Sequence, residues 1–141
     1  MEADALDTAL GRLLASHRLP AAPIDAGRMR RERHARLQTA MAEQGVEAAV
    51  LLHAPHVGYA TGQPVRGVDV THAVFERPVA VVVAGENRPH LLGGSPAGLD
   101  VEAHPAVRPE LEEGALGLAG ALAGVVGPLG GRRIAVDEQT G

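Results

Sequence analysis

Three short stretches of this chain carry side chains that could do chemistry. His53 and His56 flank Ala54-Pro55. Two histidines three apart can share a metal when one helix face carries them, but Pro55 predicts a loop, and no carboxylate stands at a recognised ligand spacing nearby. Ser95 lies in Gly-Gly-Ser-Pro-Ala-Gly. It lacks the G-x-S-x-G elbow that aims a nucleophile from the end of a strand, so it reads as a turn residue. His90 and His104 stand isolated. The third stretch, Gly62 to Arg77 (GQPVRGVDVTHAVFER), gathers Arg66, Asp69, His72, Phe75, Glu76 and Arg77 on one connection between two predicted strands. Charged groups collected on a long connection often serve binding, although charge count alone reads them as ordinary exposed loop residues.

Arg28, Arg30, Arg31, Arg33, His34 and Arg36 form a basic cluster that could take phosphate or nucleic acid. No aromatic residue is interleaved to stack bases, and the net charge is −4. The cluster therefore reads as a solvated helix face with Glu32 offering local pairs, and no nucleic-acid partner is expected. The Gly-rich run 114–131 has no G-x-G-x-x-G after a strand, which gives a dinucleotide site little support.

Composition narrows the chemistry further. All 13 basic residues are Arg, so neither a Schiff-base lysine nor a P-loop lysine exists in this chain. With no Cys, thiol nucleophiles, disulfides and Cys-ligated zinc are excluded. The start, MEADALDTAL, has no basic n-region or apolar h-region and is not a secretory signal. No apolar run reaches the roughly 18 residues of a membrane span, so a cytoplasmic protein without a membrane partner is the expectation. Only one Tyr and one Phe occur among 141 residues, so the core must be aliphatic.

The elements that must position these groups follow from periodicity. Leu6, Leu10, Leu13 and Leu14 share one face of a predicted helix over 4–18, and Pro20 to Pro23 break it. Residues 1–24 thus read as a helical extension with a linker, and 25–141 as the domain. Asp25 predicts the N-cap of a second helix ending at Gly45, with Leu37, Ala40 and Met41 on its apolar side. Val46 to Leu52 and Pro78 to Ala84 read as apolar strands, the first as one covered on both faces. Gly85 to Pro89 predicts a turn into a hairpin partner, His90-Leu91-Leu92. Val101 to Val107 predicts a short edge strand, since Pro105 cannot donate to a ladder. Glu110 to Val126 predicts a third helix, with Gly117, Gly120, Gly124 and Gly127 on one side. Close packing of that side on the sheet is expected to offset its poor helix propensity. Arg133 to Val136 predicts a last strand. The order indicates a three-layer α/β/α domain with a mixed sheet. A chain ending just after a strand is expected to be truncated.

An ordered set of short motifs resembles the amino-terminal domain of the creatinase/prolidase/aminopeptidase P family. They are Arg33 to Gly45 (RHARLQTAMAEQG), Leu51 to Gly62 with Tyr59-Ala-Thr-Gly62, the strand Val79 to Val83, and Arg133-Ile-Ala-Val-Asp-Glu138. The resemblance covers about residues 26–138. It implies a ribonuclease-H-like fold, with no catalytic residues, metal or cofactor in this chain and the catalytic domain absent. It implies a parent hydrolase of the metallopeptidase-like (M24) class that cuts before proline, in which two Asp, one His and two Glu hold two divalent metals (Mn, Co or Zn) that activate a bridging water. Creatinase-type members run a related hydrolysis without metals.

The resemblance further implies a homodimer in which this domain shapes the substrate entrance for a peptide or small molecule. Tyr59, Asp69, His72, Phe75 and Arg77 are then the expected contacts. Peptidase members often carry Asn-Ile/Val before the Tyr, whereas this chain has Pro55-His56-Val57-Gly58. The Thr71-His72…Phe75…Arg77 pattern also looks like a branch that cleaves dimethylsulfoniopropionate as a lyase, and a stand-alone interaction module using the first helix is the remaining alternative.

Overall fold

The computed structural model describes residues 12, 23–64, 78–106, 112–127 and 133–137. Arg12 is helical and exposed; the rest of the helix expected over 4–18 lies outside the described residues. The elements run α1 (Ala26–Gln44), β1 (Ala48–Leu51), α2 (Ala54–Thr61), β2 (Val79–Val83), β3 (His90–Leu92), β4 (Glu102–His104), α3 (Glu112–Val126) and β5 (Ile134–Val136).

The strands form one mixed sheet in the order β4-β3-β2-β1-β5. β2 pairs antiparallel with both β1 and β3, while β5 is parallel to β1 and β4 parallel to β3. Side chains alternate across a strand, so the VAVVV run of β2 serves two cores at once. Ala80 and Val82 join Leu91, Met41, Val57, Ala60 and Val101 beneath α1 and α2. Val79 and Val81 join Val50 and Leu92 on the other face, where Ala121, Leu122, Val125 and Val126 of α3 cover them. The expected three-layer mixed α/β architecture is therefore present. β1 is covered on both faces as expected, though Ala49 and Leu51 remain only half-buried.

α1 begins and ends where its sequence predicts. The Asp25 carboxylate accepts the Arg28 N–H at 2.9 Å, and Gly45 closes the helix at φ 62°. Met41 is buried and Leu37 packs beside it, but Ala40 is exposed. α1 also grips the β2–β3 turn through side chains. Gln38 Nε2 donates to the Val83 carbonyl (2.9 Å), Gln38 Oε1 accepts the Gly85 N–H (2.9 Å), and His34 Nε2 meets the Glu86 carbonyl at 2.7 Å.

Two expectations are corrected. Residues 54–61 are a helix and not a loop, because Pro55 occupies the first turn, where a missing N–H removes nothing. The glycine side of α3 does not pack on the sheet. A Cβ at Gly120 or Gly124 meets nothing within 4 Å, and the covering face is Ala121, Leu122, Val125 and Val126 instead.

Gly120→Ala should therefore stabilise the chain, by roughly 0.5–1 kcal/mol, by removing backbone entropy without a clash. Leu91→Ala, at a fully buried site, should cost about 2–5 kcal/mol. Urea unfolding of both variants checks these opposite signs.

Candidate functional site

The Tyr59-Ala-Thr-Gly62 motif forms the end of α2, and three of its four residues work inward. Ala60 and Thr61 are buried. Thr61 Oγ1 donates to the Val57 carbonyl at 2.7 Å and accepts the Gln63 N–H at 3.0 Å, which turns the chain out of the helix. Gly62 caps the helix at φ 79°, and its N–H donates to the Gly58 carbonyl at 2.8 Å. A Cβ at Gly62 would lie 2.8 Å from Arg30 Cδ, so the motif also fixes how closely α1 approaches. Tyr59 alone points out, 38% exposed, with the Arg33 guanidinium 5.1 Å from its ring centroid.

The motif opens onto the 65–77 segment, whose two stems are held together. Gln63 is buried, and its Oε1 accepts the Ser95 N–H at 2.9 Å. A Cβ at Gly94 would lie 2.8 Å from Gln63 Oε1 and 3.2 Å from Pro78 Cβ, at a φ of +70°. Only glycine satisfies both the conformation and the space. Of the expected entrance residues, Tyr59 is exposed near the end of α2 with Arg33 over its ring, whereas Asp69, His72, Phe75 and Arg77 lie outside the described residues. Ser95 is an exposed residue of the 93–101 connection, consistent with its reading as part of a turn.

At the other end of α2, Asp137 builds a junction that the local spacing of His53 and His56 does not reveal. Its carboxylate accepts the Leu52 N–H at 2.7 Å and the His53 N–H at 2.9 Å, and Oδ2 is 2.9 Å from His56 Nδ1. The carboxylate that seemed missing near these histidines arrives from the end of β5, which runs parallel to β1. Burial acts to raise the Asp137 pKa. The two backbone N–H groups and His56 outweigh it and hold the carboxyl below the ordinary aspartate value of 3.8. The His53 and His56 rings meet edge-on, 4.9 Å between centroids.

His90 and His104 are likewise not isolated. Adjacent parallel strands bring His90 Nδ1 to 2.9 Å from His104 Nε2, and His90 Nε2 is 2.5 Å from Glu86 Oε2. The arginine cluster divides in the same way. Arg28 pairs with Glu32 at 2.8 Å on a solvated face, as expected, and Arg33 stacks on Tyr59. Arg30, Arg31 and His34 instead line a cleft beside the β2–β3 turn.

Among the described residues no group of three or more His, Cys, Asp or Glu side chains converges as a metal ion would require. The donor set of the described residues does not fit a dinuclear metal centre. No described helix is long and apolar enough to cross a membrane.

A mixed sheet of this order, an Arg-rich helix over one face and a Tyr-x-Thr-Gly helix end define a domain class. The model for the Creatinase/Prolidase N-terminal domain matches residues 33–140, and the chain belongs to that family. No curated protein matches the chain.

Two outcomes follow. Asp137→Asn should cost about 1–3 kcal/mol near neutral pH. Because the folded pKa is lowered, the stability from ionised Asp137 is present above the unfolded value and is lost as pH falls through the folded one. The variant's disadvantage should therefore shrink on acidification below pH 3.8, as urea midpoints across pH will read. Gly94→Ala should destabilise the chain by more than about 1 kcal/mol, through both strain at positive φ and the clash with Gln63.

Proposed function

We propose that this chain is the non-catalytic amino-terminal unit of a creatinase/Xaa-Pro-peptidase-like hydrolase, pairing with a second copy and shaping the substrate entrance. The observation that carries this reading is the stem under the 65–77 segment. Gln63, Gly94 and Pro78 bring both of its ends to one point, and Tyr59 is exposed on the helix that leads into it. A segment tethered in this way can present Asp69, His72, Phe75 and Arg77 together at a site mouth. Arg77 would grip a substrate carboxylate in bidentate fashion and Phe75 would supply an apolar wall. The two divalent metals of a parent peptidase would belong to a downstream catalytic domain. Family membership supports this assignment of labour, and a cytoplasmic setting without nucleic-acid or membrane partners completes the proposal.

A second reading rests on residues 55–58, Pro-His-Val-Gly, and on the Thr71-His72…Phe75…Arg77 pattern. These favour a non-peptidase member, creatinase-like or similar to the dimethylsulfoniopropionate lyases.

Arg77→Ala and Phe75→Ala in the full-length parent should raise KM for its substrate about tenfold, with a smaller change in kcat. Unchanged KM and kcat would remove the entrance role. Sedimentation of the 141-residue chain should show a dimer. Association that survives deletion of 62–77 but fails with Leu10→Asp would favour a stand-alone interaction module instead.

A further inference from the structure

We propose that the cleft between α1 and the β2–β3 turn is a binding site for a phosphate group carried by a small molecule. It is independent of the entrance reading. The cleft encloses ≈ 690 Å³, and its lining includes Arg30, Arg31 and His34 from α1, Asn87 and Arg88 from the turn, and Asp100. That volume suits a small ligand. Three arginines and one aspartate are among the lining residues, so the cleft favours an anion even in a chain whose total charge is negative.

The cations are available. Arg88 is partly neutralised by Glu102 at 3.0 Å, but neither Arg30 nor Arg31 has an ion-pair partner among the described residues. Arg30 Nε is shielded from water and has no hydrogen-bond partner. A buried donor of a charged group left unpaired is costly, and a small shift of the side chain that brings it to a ligand oxygen relieves that cost. Packing of the Arg30 stem against Gly62 holds this side chain in place for the purpose.

His34 decides which anion. Its Nε2 faces a backbone carbonyl at 2.7 Å, which can only accept, so Nε2 carries the hydrogen. In the neutral ring Nδ1 is then an acceptor, and it is buried without a partner. The lining therefore offers several donors and one acceptor. A monoprotonated phosphate group matches it, accepting from the arginines and donating its own hydrogen to Nδ1 after a small turn of the ring. A carboxylate or a sulfate, fully ionised near neutral pH, has no hydrogen to give.

The test is an NMR titration of the 141-residue chain with inorganic phosphate at neutral pH, ionic strength held constant with sodium chloride. The expected result is saturable shifts at the amides of Arg30, Arg31, His34 and Arg88, with sulfate and succinate weaker than phosphate. R31Q and R88Q, each read against its own folded spectrum, should weaken phosphate binding about fivefold. Shifts that do not saturate, that sodium chloride reproduces, or that both variants leave unchanged overturn the proposal. Succinate or sulfate binding as tightly as phosphate overturns it too, since the Nδ1 argument then fails. None of these results touches Tyr59 or the 65–77 segment, so the entrance reading stands or falls separately.

Discussion

Burial of β2 on both faces is the constraint from which the rest of this structure follows. Val79, Ala80, Val81 and Val82 are each at most 1% exposed, so each face of the strand must meet its own cover. With one Tyr and one Phe in the chain, that cover is built from Leu, Val, Ala and one buried Met. Small aliphatic side chains bring about 1.5–3 kcal/mol each on full burial, less than an aromatic core would, so position matters more than size here. The polar contacts around the sheet do the positioning. Gln38 and His34 hold α1 to the β2–β3 turn, and Asp137 holds β5 and the start of α2 to the end of β1.

That arrangement changes how the family motif should be understood. In Tyr59-Ala-Thr-Gly62, Ala60 fills the core, Thr61 turns the chain, and Gly62 admits Arg30. Only Tyr59 faces outward. The motif is thus chiefly a device for ending a short helix against a neighbouring one, and its single exposed side chain is the part free to meet a ligand or another subunit. The same helix α1 carries arginines with three separate tasks. Arg28 pairs locally with Glu32, Arg33 stacks on Tyr59, and Arg30 and Arg31 face the cleft.

Most of the fold was legible because it rests on local signals. Asp25 and Gly45 mark the ends of α1 by chemistry that acts within three residues, and the turn at 85–89 announces the β2–β3 hairpin. The helical state of 54–61 was hidden because Pro55 reads as a breaker unless the helix is known to start beside it. The face of α3 was misjudged because glycine at helical spacing fits an exposed side as well as a packed one. The Asp137–His56 and His90–His104 contacts were illegible for another reason. His90 and His104 lie on strands paired in parallel, and Asp137 follows β5 and reaches the helix that follows its parallel neighbour β1; sequence spacing carries no trace of which strands will be neighbours. The two ends of β1 and β5 would have had to be aligned first. Of the candidate site, Tyr59 and the stretch that follows it were legible, but not the stem geometry at Gly94, which depends on Gln63, far away in sequence.

That stem separates the stability of the domain from whatever lies between its ends. Gln63, Gly94 and Pro78 fix where the chain leaves and returns, so the closure entropy of the intervening segment grows only slowly with its length. Doubling its length would cost only about 0.6 kcal/mol. A change of length between those two fixed points therefore carries a small entropic cost. A family sharing one scaffold can in this way diversify what its members recognise, with the glycine at 94 as the fixed hinge-pin of an otherwise interchangeable part.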